Sequence, residues 1–185
     1  MALLVIVSGP PGVGKSTLAK SLCERYKLVF LQKDGLKESL FDSLGYSDRE
    51  WSKKLGIASY RLMSMMLESM LSANANVLIE SNFKPQFDNP IFKEIQKRHS
   101  FDSIQIHCHA DHELVIARFR QRVDAGARHP GHADQANLEE HEKAIRNWDA
   151  MPLDLEGEVL RADMNDFAAF DPSPIHQAIE KYLAA

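Results

Sequence analysis

The stretch SGPPGVGKST, residues 8–17, holds three glycines, two adjacent prolines and a Lys-Ser-Thr tail. From Gly9, the four residues Pro10, Pro11, Gly12 and Val13 lead to Gly14, Lys15 and Ser16, with Thr17 behind, which is the phosphate-loop spacing G-x-x-x-x-G-K-[ST] without a mismatch. Holding a phosphate takes several N–H donors turned toward one point, and side chains at the glycine positions would obstruct that turn. In such a loop the lysine reaches the β- and γ-phosphates and the Ser16 hydroxyl ligates magnesium.

Transfer of a phosphoryl group to an alcohol needs two further parts: a carboxylate to take the hydroxyl proton, and cations to stabilise charge on the transferred oxygens. Asp34, in LQKDGLKESLFD, is placed either for the first role or to cap the helix that follows it. Glu80 ends an apolar run in LIESNFKP, where a charge is expensive unless it meets a cation, water or hydrogen-bond donors. Magnesium-bound water is one such partner. Arg118 and Arg122 are four apart and share one helical face, Arg120 points elsewhere, and Arg128 lies in the loop beyond. Residues 127–137, ARHPGHADQAN, lack periodicity and read as a mobile loop, so that residues 118–137 form a lid able to bring cations to the phosphates and exclude water. Within it His129 and His132 flank Pro130-Gly131, either touching acceptor or phosphate or stabilising the turn.

Elements must position these groups. ALLVIV ahead of the loop reads as a buried strand, and KSTLAKSLCERY, with Leu18, Leu22 and Tyr26 at spacing four, as a helix that begins near Lys15 and turns its positive end to the anion. Strands are predicted near residues 2–7, 28–31, 76–80, 103–109 and 157–162, with helical stretches between them. The longest helix covers residues 49–72, with Met63, Met66 and Met70 turned inward as core filling. Strands alternating with helices imply a parallel sheet covered on both faces. Ligands of such sheets sit beyond the carboxyl ends of the strands, where Asp34 and Glu80 fall.

The 185 residues suit a single domain, large enough to bury roughly 70% of its unfolded surface. Cys23 and Cys108 have no C-x-x-C partner, which favours a reducing, cytoplasmic compartment. ALLVIV is too short to span a membrane. A net charge of -4 disfavours broad binding to nucleic acid. His107 and His109 share a strand face with His112 just after, yet zinc wants four ligands and Cys108 points the other way, so these read as strand-end histidines. Trp51 and Trp148 read as packing residues.

The chain resembles the small P-loop kinases grouped around polynucleotide 5'-kinase, zeta-toxin and chloramphenicol phosphotransferase, an adenylate-kinase-like branch. KDGLK at 33–37 is similar to the R-D-D-x-R element of the polynucleotide kinases, which implies Asp34 as general base and places Lys37 where an acceptor-binding Arg is expected. IESN at 79–82 resembles their D-T-N element, ending on Asn82. Arg118 and Arg122 resemble their R-x-x-x-R lid helix, whose second Arg contacts the transferred phosphate, and RHPGH at 128–132 resembles a lid signature of related kinases. The resemblance implies a three-layer αβα P-loop NTPase fold with five parallel strands in the order 2-3-1-4-5. It also implies ATP and Mg2+, and γ-phosphoryl transfer to a hydroxyl. On that basis Lys15, Asp34, Arg122 and Arg128 are the expected catalytic residues; residues 9–17 and Arg118 bind nucleotide, Lys37, Asn82 and His132 bind acceptor, and Ser16 and Glu80 (through water) serve the metal. A small-molecule acceptor, a polynucleotide 5'-end, and no acceptor at all in a slowly hydrolysing switch are the three readings left open.

Overall fold

In a computed structural model, which describes residues 1–149 and 151–184, five strands form one sheet. They are β1 (Ala2–Ser8), β2 (Val29–Gln32), β3 (Val77–Glu80), β4 (Phe101–His109) and β5 (Glu158–Asp163), in the order β2-β3-β1-β4-β5, every neighbouring pair parallel. The expected order and layers are met, with strand ends moved by at most two residues. Central position explains the composition of β1: all seven of its residues are buried, because it is packed from both faces and hydrogen-bonded on both sides. The edge strand β5 alternates buried or half-buried with exposed positions instead.

Among the described residues seven α-helices cover the faces: α1 (Lys15–Tyr26), α2 (Lys33–Leu44), α3 (Arg49–Ser72), α4 (Pro85–Arg98), α5 (His112–Asp124), α6 (Leu138–Arg146) and α7 (Ser173–Leu183). Alternation along β1 divides the interior in two. Leu3, Val5 and Val7 join Leu18 and Leu22 of α1, Phe119 of α5 and Ile179 of α7; Ala2, Leu4 and Ile6 join Met63 and Leu67 of α3 with Phe92 of α4. Met66 and Met70 pack against the second cluster, but Met65 remains 64% exposed. Asp48 caps α3, its side chain accepting the Trp51 N–H at 2.8 Å, and Asp111 caps α5 by accepting from Glu113 and Leu114. Trp51 also donates from Nε1 to the Gly45 carbonyl at 2.9 Å, in keeping with a packing role.

Residues 127–137 depart from an irregular loop. They include two single-turn 3-10 helices, Pro130–His132, seated on α2, and Gln135–Asn137, which leads into α6. Phe41 is the platform: the His129 ring stacks on it at 5.2 Å, His132 meets it edge-on at 5.5 Å, and a side chain at Gly131 would strike its ring. These are contacts across some 90 residues, so no local periodicity in the segment could announce them. Cys23 and Cys108 are both free thiols. No helix among the described residues is long and apolar enough to cross a membrane.

Candidate active site

The register of the sheet sets the floor of the site. Val7, Glu80 and Gln32 lie side by side at the carboxyl ends of β1, β3 and β2, and the chain leaves β1 one residue later into the loop. At Gly9 the backbone takes φ +140°, and a Cβ there would drive into the carbonyl oxygen of Cys108 on β4. Glycine is required both by the dihedral and by the space. Gly14 caps α1 without any side-chain hydrogen bond, so the first N–H groups of that helix are left to a ligand, at its positive end. Lys15 lies back across the loop, 5% exposed, its Nζ donating to the Pro10 carbonyl at 2.8 Å with Glu80 Oε1 at 4.0 Å. Burial pushes its pKa down and the Glu80 carboxylate opposes that shift.

Glu80 is 5% exposed and is not left alone. Ser16 Oγ donates to its Oε2 at 2.9 Å, and Gln32 Nε2 donates to the same oxygen at 2.8 Å while lying 3.1 Å from Ser16 Oγ. The donor set fits magnesium: one hydroxyl and one carboxylate, both hard oxygen ligands, stand at the mouth of a phosphate cradle, and this ion ordinarily keeps several waters and takes phosphate oxygens for the rest. Among the described residues no group of three or more His, Cys, Asp or Glu is arranged to hold a metal by itself. The cradle in turn fits a triphosphate: a side chain at Gly14 would strike Phe167 on the cavity wall, one at Gly9 would strike β4 and one at Gly12 would crowd α5, and the N–H groups of Lys15 and Ser16 open α1 without a side-chain cap.

Opposite the cradle, Asp34 stands in the first turn of α2 and does not cap it; the cap position is Gln32, without a side-chain bond. Lys33 Nζ and Arg128 Nη2 each lie 3.1 Å from one of its carboxylate oxygens. Burial alone would raise its pKa, but these two cations outweigh burial and hold the carboxyl well below the usual carboxylate range. Arg128 is shared, its Nε 2.9 Å from Asp134 Oδ2. Arg122, among the described residues, has no ion pair; its Nε and Nη2 are buried without a hydrogen-bond partner, and burial, with Arg128 beside it, lowers its pKa. An unspent guanidinium at the edge of a phosphate cradle is costly to folding and ready for an anion. Lys15, Ser16, Thr17, Asp34, Glu80, Asn82, Arg122 and Arg128 together line one cavity of about 270 Å³.

Other residues singled out in the sequence stand apart from that cavity. Arg118 donates to the carbonyls of Met164 at 2.6 Å and Asn165 at 2.9 Å and lies over the Phe167 ring, so it braces the segment after β5 where nucleotide contact was expected. Lys37 is buried between α2 and α3, donating to Ser52 Oγ at 2.8 Å; burial and then Lys33 push its pKa down to about 8. His132 is 5% exposed and 2.8 Å from Glu38, with its pKa pushed down to about 3 by burial and by Arg128. It is therefore a neutral packing group of the lid. His107 is also buried, its Nδ1 3.3 Å from Ser8 Oγ. Arg120 pairs with Glu142 of α6, away from the site, as its helical phase requires.

Sequence reasoning missed Gln32, Phe167 and Asp134. Gln32 and Phe167 had a signal, since both lie at or beyond the carboxyl end of a strand, where ligands of a parallel sheet gather. Phe167, which lines the cavity, follows the fifth strand. Asp134 had none, because its role is set by Arg128 across the lid.

Comparison with known proteins agrees with this geometry. The family profile AAA_33, described as an AAA domain, matches residues 4–148. A solved structure from Chloroflexus aurantiacus J-10-fl, described as a "putative kinase", is 33% identical, covers 98% of each chain and superposes with a TM-score of 0.90. A curated "Cytidylate kinase" of Sulfurisphaera tokodaii is 29% identical over 82 residues, 43% of this chain and 46% of that protein. A "Probable adenylyl-sulfate kinase" of Archaeoglobus fulgidus is 34% identical over 55 residues, 27% of this chain and 36% of that protein. The matched region thus spans less than half the length of either curated relative. With the phosphate loop, the parallel sheet order and a family match over most of its length, the chain belongs to the AAA domain family AAA_33 and has the fold of the P-loop kinases.

Proposed function

We propose that this chain is an ATP-dependent phosphotransferase that moves the γ-phosphoryl group to a hydroxyl of a small-molecule acceptor. One observation carries the reading: a single cavity gathers the phosphate cradle, an ionised carboxylate at Asp34 and the unspent guanidinium of Arg122. A carboxylate facing the cradle serves an attacking alcohol or an attacking water alike, so the choice of an alcohol is supported by the kinase relatives.

Each residue then has a part. The main-chain N–H groups of residues 9–17 and Lys15 bind and orient the phosphates, with Lys15 giving up its Pro10 contact for phosphate oxygens. Ser16 and Glu80, steadied by Gln32, would hold magnesium, which when bound neutralises phosphate charge. The acceptor oxygen forms a bond to the γ-phosphorus as the bond to the β-phosphate oxygen breaks, and Asp34 takes the proton that the hydroxyl releases. Arg122 and Arg128 stabilise the charge spread over the transferred oxygens. Asp34 is a weak base here, and position serves better than strength, because a loose transition state releases the hydroxyl proton late. The lid, seated on α2, excludes water that would compete as acceptor.

The test is transfer of labelled γ-phosphate across nucleosides, oligonucleotide 5'-ends, antibiotics and nucleotide sugars, run beside Lys15→Ala. Lys15-dependent label on a small alcohol is expected. Label only on oligonucleotide ends would replace the acceptor class, and hydrolysis with no labelled acceptor would overturn the reading in favour of a switch.

A further inference from the structure

A second, larger hollow adjoins the first. Between α3 and α4 lies a groove of about 950 Å³, at the upper end of the range typical of small-molecule sites. Its walls are apolar: Ile57 and Met65 of α3 and Phe87 and Ile91 of α4 are 61%, 64%, 68% and 43% exposed, four large apolar side chains facing one concavity. A lone exposed Leu or Met needs no explanation, but a contiguous set does.

Two links join this groove to the chemistry. Asn82 lines both the groove and the phosphate cavity. Tyr60, in the groove wall, lies beneath Lys33, whose Nζ is 5.6 Å from the ring centroid and 3.1 Å from Asp34 Oδ1. The Tyr60 hydroxyl is held by Ser81 Oγ at 2.7 Å, which fixes the ring at the junction. A molecule seated in the groove would therefore have one end beside Asp34.

The charges select further. Both acids of the groove are engaged: Glu68 pairs with Arg98 at 2.9 Å, and Asp88 accepts the Lys84 main-chain N–H at 2.6 Å. Among the described residues neither Arg61 nor Lys84 has an ion-pair partner; Lys84 Nζ lies only over the Trp148 ring, at 5.8 Å. Two cations and two carboxylates line this apolar groove, and with Arg98 on Glu68 three cations face two acids, a surplus of one positive charge. We infer that the groove is the acceptor site and that it takes an amphipathic anionic alcohol: a hydroxyl to meet Asp34, an alkyl or aromatic body against α3 and α4, and an anionic group for Arg61 or Lys84. This rests on the phosphotransferase reading for the fate of the hydroxyl, while the binding site stands on the groove itself.

The experiment has a binding arm and a turnover arm. The binding probe is 1-anilinonaphthalene-8-sulfonate, an aromatic anion, titrated by fluorescence into the full chain and into Met65→Asp and Arg61→Glu, whose thermal midpoints verify folding. The turnover probe is ω-hydroxydecanoate, compared with glycerol, using labelled ATP. Binding to the wild type that either substitution weakens about tenfold is expected, with ω-hydroxydecanoate displacing the probe. It should also be labelled in preference to glycerol, with KM raised about tenfold in Met65→Asp. Equal probe binding by wild type and both variants would overturn the inference, as would labelling of glycerol in preference. A wild type that sediments as a dimer and that Met65→Asp converts to monomer would overturn it too, because the groove would then be an interface. Displaceable binding with no transfer to any acceptor would count against the phosphotransferase reading alone.

Discussion

The cradle and the lid face each other across one small cavity, yet they are built by opposite means. Residues 9–17 present main-chain groups, and their conformation is fixed by glycines with φ between +86° and +140° and by direct contact with β4. Residues 127–137 present side chains, and their place is fixed by partners on α2: Phe41 under His129 and His132, Glu38 beside His132, Asp34 beside Arg128. A main-chain device tolerates almost no substitution but needs no distant partner, whereas a side-chain device depends on residues some 90 positions away. The first leaves a spacing in the sequence. The second leaves only residue types.

Substitutions can break that contrast or sharpen it. Asp34→Asn strikes where the two halves meet and removes the proton acceptor; transfer should fall on the order of 10²–10⁴-fold while ATP affinity, read by calorimetry, persists because the cradle is main chain. Arg122→Met is expected to lower transfer by about 10²-fold. Its urea midpoint should nevertheless equal or exceed that of the wild type, since the substitution relieves two buried donors without partners. A midpoint well below the wild type would show that Arg122 is structural. Gly9→Ala inverts that pattern: it should cost about 1–3 kcal/mol of folding stability or more, read by urea denaturation, through strain at φ +140°.

The smallest effect is a pH slope. His132 has a folded pKa of about 3 against an ordinary 6.5, so as pH falls below 6.5 the unfolded chain takes up the proton first. The stability contributed by neutral His132 is complete above pH 6.5 and is lost progressively toward pH 3. His132→Asn should therefore show a shallower fall of urea midpoint between pH 6.5 and about pH 4.5 than the wild type. Parallel slopes would mean that the lid opens and hydrates His132 in solution.

The same contrast explains what could be read from the chain unaided. Strand order, the start of α1 at Lys15 and the span of α3 follow from periodicity, from the loop spacing and from resemblance, and all recur in the structure. Glu80 was expected to need donors or a cation, and it has Ser16, Gln32 and Lys15. Arg120 was expected to diverge from Arg122, and it does. Beyond that, types were legible and pairings were not. Nothing near Arg118 announces that its guanidinium braces the segment carrying Phe167, nor does anything near Lys37 announce Ser52. Met65 was hidden for the opposite reason: it sits in a helix whose other methionines fill core, so local composition assigns it inward, while the packing of α4 leaves it facing a groove.

A triphosphate tail held by main-chain amides and Lys15 is expected to end in line with Asp34. A crystal structure with a non-hydrolysable ATP analogue and magnesium tests it most directly. Expected are β- and γ-phosphates against the N–H groups of residues 12–17, Lys15 Nζ moved from Pro10 to phosphate oxygen, Arg122 donating to the γ-phosphate, and Asp34 on the side away from the β-phosphate. Phosphates bound elsewhere, or a γ-phosphate shielded from Asp34, would contradict it.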